Sequence, residues 1–187
     1  HLNPNQQMFE SFFTKGIEFM KSFEKFHPVL TSHLTLDWLT QTPVKLVDDL
    51  YSKKTITTIK AEKMPNEILD TVKNINHIMQ RVMNGQELTW GMTDSNSNQF
   101  VGIISLVGFE PPVDTGSIEF IVDQAHERYI PEVVERTIQF SKDHFTFQQL
   151  SVTVSQPTSQ LTEQLQSIGF KKTTESALII QLNETLD

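Results

Sequence analysis

No cysteine occurs among the 187 residues, which excludes disulfides and thiolate metal sites and fits a reducing compartment. Positive charge is also scarce: 15 Lys and Arg stand against 23 Asp and Glu, a formal charge of -8. Basic residues never cluster beyond pairs such as Lys53-Lys54, so no nucleic-acid partner is expected. No apolar run approaches the roughly 18 residues of a membrane span. The N-terminus lacks the basic region and apolar core of a signal peptide. A cytoplasmic location without a membrane partner is expected, and the six histidines, which show no ligand spacing, predict no metal site.

The chain is organised around Gly116 to Phe145. Ser117 to Val122 alternates polar and apolar residues as a half-buried strand does, with Ile118, Phe120 and Val122 on one side. Pro131 then sits where a helix begins, and Val133, Val134, Thr137, Ile138, Ser141 and Phe145 recur at helical spacing. A strand running into a helix N-terminus aims backbone N–H groups into the intervening loop, the usual basis of a phosphate or carboxylate site.

Before it, Asn3, Pro4 and Gln6 read as an N-cap, a first-turn proline and a capping-box partner. The helix they start carries Phe9, Phe12, Phe13, Ile17, Met20 and Phe23 on one stripe, widened by Phe19 and Phe26, and ends at His27-Pro28. So broad an apolar face implies packing on the domain or on a second copy in a homodimer, or an apolar ligand wall. Residues 1–28 thus form a helical extension and 33–187 one domain.

Within that domain, Leu34 to Trp38 alternates as a strand, and Thr42-Pro43 looks like the cap and first turn of a helix from Val44 to Tyr51. Ile56 to Ile59 is β-prone but short. The segment from Pro65 to Asn84 predicts a helix with Ile68, Val72, Ile75, Met79 and Val82 on one face, closed by Gly85. Leu88 to Thr93 and Phe100 to Phe109 read as a hairpin around DSNSN. Leu150, Val152 and Val154 mark a strand, Pro157-Thr158-Ser159 opens a helix stopping at Gly169, and Ala177 to Leu182 is a last strand. The fold class is α/β (α+β), a mixed sheet flanked by helices.

This order, with Trp90-Gly91, Phe100-Val101-Gly102 followed by Ile103 and Ser105, and Leu165-Gln166-Ser167-Ile168-Gly169-Phe170, resembles the GNAT superfamily of N-acetyltransferases. The branch that acetylates ribosomal-protein N-termini is the nearest in look. The resemblance covers about Leu34 to Leu182 and implies a largely antiparallel sheet, acetyl-CoA as co-substrate and a peptide or small-molecule amine as acceptor.

It also implies Arg/Gln-x-x-Gly-x-Gly/Ala between central strand and central helix, where backbone amides hold the pyrophosphate of coenzyme A. Here Asp123 to Tyr129 contains no glycine; His126 and Arg128 stand at the glycine positions, and Pro131 removes a first-turn N–H. Coenzyme-binding residues implied by position are Val122, His126, Arg128 and Tyr129, with Arg128 a candidate side-chain phosphate ligand. Asp123 and Glu127 repel phosphate. On the short helix, where the family meets the pantetheine arm and the reacting thiol, stand Thr158 and Leu161, and the position of a general-acid tyrosine holds Leu165. Glu119 is the remaining acid–base candidate; its parity, opposite to Phe120, also allows a solvent-facing carboxylate. Two readings result: an acetyltransferase with a divergent coenzyme site, or a non-catalytic binding or dimerisation module.

Overall fold

Trp90, Ile104 and Phe120 occupy one register row across three antiparallel strands, and the adjacent row holds Thr89, Ser105 and Glu119. Side chains alternate between faces along a strand, so these rows point to opposite sides of the sheet. The first row is fully buried. The second lines a pocket.

The computed structural model describes residues 3–7, 22–59 and 61–182. Its strands are β1 (Val29–Leu30), β2 (Leu34–Asp37), β3 (Thr55–Thr57), β4 (Leu88–Asp94), β5 (Phe100–Val107), β6 (Thr115–Asp123), β7 (Gln149–Thr153), β8 (Lys171–Lys172) and β9 (Ala177–Gln181). The helices are α1 (Val44–Ser52), α2 (Ile68–Met83), α3 (Ile130–His144) and α4 (Ser159–Ile168). The strands form one sheet in the order β1-β2-β4-β5-β6-β7-β9-β8, with β3 added to β6. Every pairing is antiparallel except β6 with β7. This is the mixed, largely antiparallel architecture expected.

Trp90 packs edge-on against Phe140 of α3, with centroids 5.3 Å apart, so the apolar row faces α3. Tyr51 of α1 and Asn74, Ile78 and Arg81 of α2 line the pocket with Ser105 and Glu119, so the polar row faces the first two helices. Gly85 (φ 68°) and Gly169 (φ 125°) end α2 and α4 as expected, since only glycine tolerates this left-handed backbone cheaply.

Three local expectations are corrected. The N-cap of α1 is Pro43, which has no side-chain acceptor with which to cap it, while Thr42 closes a preceding 3-10 turn by donating its N–H to the Leu39 carbonyl. On α2 the expected stripe is uncovered at its start: Ile68 and Val72 are exposed. Burial begins instead at Thr71, whose hydroxyl donates to Asp48 of α1 at 2.7 Å. Finally, Phe23 and Phe26 lie in an irregular segment, not a helix. The Phe23 N–H donates to Val82 O at 3.1 Å and the Phe26 carbonyl accepts the Trp90 indole N–H at 2.8 Å, so long-range bonds replace helical ones.

The capping box at the start of the chain is present: Gln6 N donates to Asn3 Oδ1 at 2.8 Å and Asn3 N to Gln6 Oε1 at 3.2 Å. The rest of the expected phenylalanine stripe, Phe9 to Met20, lies outside the described residues.

Candidate functional site

β6 and β7 pair in parallel only from Thr115–Gln149 to Ile118–Val152. Beyond Ile118, β6 runs on to Asp123 with its β7-facing edge released, and β3 takes that edge: Ile56 pairs with Val122, Thr57 with Ile121 and Thr55 with Asp123. The pairing extends at both ends. Thr58 N donates to Phe120 O at 3.1 Å, Phe120 N to Thr58 Oγ1 at 3.1 Å, and Gln124 N to Lys54 O at 3.0 Å. On the other side Ser155 N, just past β7, donates to Thr57 O at 2.9 Å. β3 therefore bridges the cleft between the two diverging strands, and Phe120, Val122 and Gln124 have their outward backbone groups engaged.

The loop into α3 is also committed to its own chain. Ala125 N donates to Asp123 Oδ1 at 3.1 Å. Lys53, leading into β3, reaches Asp123 Oδ2 at 3.3 Å. Burial would raise the Asp123 carboxyl, but the Ala125 N–H and Lys53 outweigh it and hold it below its ordinary value. Arg128 donates to Ala125 O at 3.0 Å and to the Tyr129 hydroxyl at 3.2 Å, with its guanidinium 4.5 Å from the Tyr129 ring centroid. The Tyr129 hydroxyl donates in turn to Asp94. His126 is buried, its Nδ1 without a hydrogen-bond partner and 3.8 Å from Asp123, and burial lowers its pKa. Thr158 caps α4 by accepting from Leu161 N at 3.1 Å and donates to Glu127 at 3.1 Å, while Leu161 and Leu165 are fully buried.

Of the residues singled out from sequence, Val122, His126, Arg128 and Tyr129 thus gather at the C-terminal end of β6, whereas Glu119 lies on the other side of β3's pairing, in the pocket beneath α1 and α2. That pocket encloses about 150 Å³. Glu119 is half-buried and has no hydrogen-bond partner among the described residues. Burial raises its pKa first, repulsion from Glu87 adds to this, and Arg81 opposes it. Arg81 is itself bound to Glu87, which also accepts from Thr89, and Thr89 meets Ser105 at 2.8 Å. Lys63 stands at the exposed rim. Among the described residues Glu119 is therefore the unpaired carboxylate of this pocket.

Arg81, Glu87, Thr89 and Ser105 were not singled out from sequence. A faint signal existed: Thr89 and Ser105 are the polar members of strands whose neighbours Trp90 and Ile104 share the buried face with Phe120. Among the described residues no group of His, Asp and Glu forms a metal cluster, and no helix is long and apolar enough to cross a membrane.

No protein-family model matches the chain, and no curated protein matches it by sequence. Solved structures share its fold. A candidate ribosomal-protein-serine acetyltransferase from Vibrio cholerae superposes with a TM-score of 0.69 at 10% identity, covering 83% of this chain and 97% of that one. RimL, a ribosomal-protein α-N-acetyltransferase in complex with coenzyme A, gives 0.65 at 10%, covering 82% and 96%. FdhC, a nucleotide-linked sugar GNAT, gives 0.64 at 15%, covering 83% and 90%. The chain has the GNAT acetyltransferase fold.

Proposed function

We propose that this GNAT-fold chain is a small-amine-binding module whose coenzyme groove is filled by its own strand β3. The pairing of Ile56 with Val122 carries this reading. If the pyrophosphate of a coenzyme sat on the loop after β6, and its arm met α4 as the family resemblance implies, the arm would run along the released edge of β6. β3 holds that edge, and Gln124 N, a loop donor, is bonded to Lys54 O. Glycine is absent from the loop, and the Asp123 and Glu127 carboxylates further oppose phosphate.

The Glu119 pocket supports the ligand half of the reading. A carboxylate that is half-buried, unpaired and repelled by Glu87 is relieved by an ammonium group. Thr89 and Ser105 supply hydroxyls, and Ile78 and Ile103 supply apolar wall. About 150 Å³ holds a ligand of benzene's size.

Calorimetry tests both halves. Titration with coenzyme A and acetyl-CoA should give no saturable heat, while propylamine should bind and weaken by about tenfold or more in Glu119→Gln, the loss of one charge-assisted bond. Micromolar coenzyme affinity would overturn the reading.

The raised pKa of Glu119 favours one second reading, an N-acetyltransferase in which β3 withdraws when acetyl-CoA arrives. The amine nitrogen would then attack the acetyl carbonyl, Glu119 or a water would take its proton, and coenzyme A thiolate would leave. Acetylated propylamine detected by mass spectrometry after incubation with acetyl-CoA, and absent in Glu119→Gln, would establish it.

A further inference from the structure

On the α3 side of the sheet, away from the Glu119 pocket, Lys25, His27, Arg136 and His144 line a groove of about 560 Å³ with Phe26 and Phe140. No carboxylate lines it among the described residues. In a chain of formal charge -8 this is a local reversal of sign. His27 Nδ1 lies 2.8 Å from Asp37 Oδ1. Lys25 and Arg136 have no ion-pair partner within the described residues.

The cations are placed over aromatic faces. Lys25 Nζ is 5.3 Å from the Phe26 centroid and Arg136 Cζ 5.9 Å from that of Phe140. His144 lies beside both rings, 5.0 Å from Phe26 and 4.4 Å from Phe140, which themselves meet edge-on at 5.2 Å. Arg136 Nε donates to Leu30 O at 3.1 Å, which fixes the guanidinium and leaves its two terminal nitrogens for a ligand. That bond and the one from the Trp90 indole also occupy the Leu30 and Phe26 carbonyls.

We propose that this groove binds a small organic carboxylate with a flat apolar body. The carboxylate would meet Arg136 in a two-point bond, with Lys25 adding positive charge, and the body would lie against Phe26 and His144, which Phe140 backs from the core. The α3 carbonyl end, near His144, disfavours negative charge, so the anionic group belongs at the Arg136 end. The chain's overall negative charge selects a monoanion over a polyanion. The volume lies within the range of ligand sites.

Both tryptophans touch the groove's lining: Trp38 is 4.9 Å from the His27 ring, and Trp90 packs on Phe140. Intrinsic fluorescence therefore reads its occupancy. Titrating the protein with benzoate should give a saturable change that weakens at about 0.5 M NaCl and by about tenfold in Arg136→Gln. Benzamide and benzylamine should bind far more weakly, and phenyl phosphate no more tightly than benzoate. Because Arg136→Gln also removes the Leu30 tie, Lys25→Gln, at an exposed position, is the second variant, with a weakening of about threefold expected. Absence of a saturable benzoate response, equal binding of benzamide, preference for phenyl phosphate, or unchanged affinity in a folded Arg136→Gln or in Lys25→Gln would each overturn the proposal.

Discussion

Ile56 and Val122 are register partners across the β3–β6 ladder, and both are buried. Through this pair a segment between two helices becomes part of the central sheet. The edge of β6 that β7 leaves is then already hydrogen-bonded.

Ile56→Ala should cost about 2–5 kcal/mol in urea unfolding, because a buried isoleucine leaves a cavity at a site walled by β6. The same variant loosens β3. A cost below about 0.5 kcal/mol, the size of a surface substitution, would place β3 outside the core.

Phe120, 1% exposed in the row facing α3, is expected to cost about 3–5 kcal/mol on truncation to alanine. Chemical denaturation measures it directly. A loss below about 1 kcal/mol would contradict the packing of β6 against α3.

The turn before β2 is tied to α3 by Glu132, which meets His33 Nδ1 at 2.6 Å and accepts from Thr31 at 2.6 Å. The Glu132 hydrogen bond and charge raise His33 above its ordinary 6.5. For Glu132, burial acts upward, but bonds from His33 and Thr31 win and hold it below 4.5. A depressed acid contributes above its unfolded pKa and a raised base below its own, so the pair stabilises between these two values. His33→Ala should therefore lower the melting temperature at about pH 5.5 and have little effect at about pH 9. Equal effects at both would rule out the charged pair.

Glu119 has the opposite sign. Its folded pKa is raised above 4.5, so the carboxyl is tolerated when protonated and costs stability as pH rises through that value. Glu119→Gln should raise the melting temperature at about pH 7 more than at about pH 4. A uniform decrease at both would mean that the carboxylate is satisfied in the fold.

Most of the sheet could be read from the chain because its strands carry their own alternation. Ile118, Phe120 and Val122 locate β6, and Gly85 and Gly169 mark helix ends by a backbone only glycine adopts cheaply. Where β3 goes could not be read. Ile56 to Ile59 is β-prone, whereas the strand forms at Thr55–Thr57, where its partner is chosen by the divergence of β6 from β7, which no local window contains. The surroundings of Glu119 were hidden for a related reason. Parity puts it opposite Phe120, yet whether that side is water or a pocket depends on α1 and α2 folding over it. The Phe23 and Phe26 positions were misread because periodicity cannot see Val82 and Trp90 competing for their backbone groups.

The strand β3 also has a place in time. Its bond from Phe120 to Thr58 spans 62 residues, while β5 and β6 are neighbours in the chain. A three-residue strand cannot form without its partner, so β3 docks after β6 is laid down, once the closing of a long loop is compensated by the finished sheet. Weakening β3 at Ile56 should therefore leave the refolding rate nearly unchanged and appear as faster unfolding.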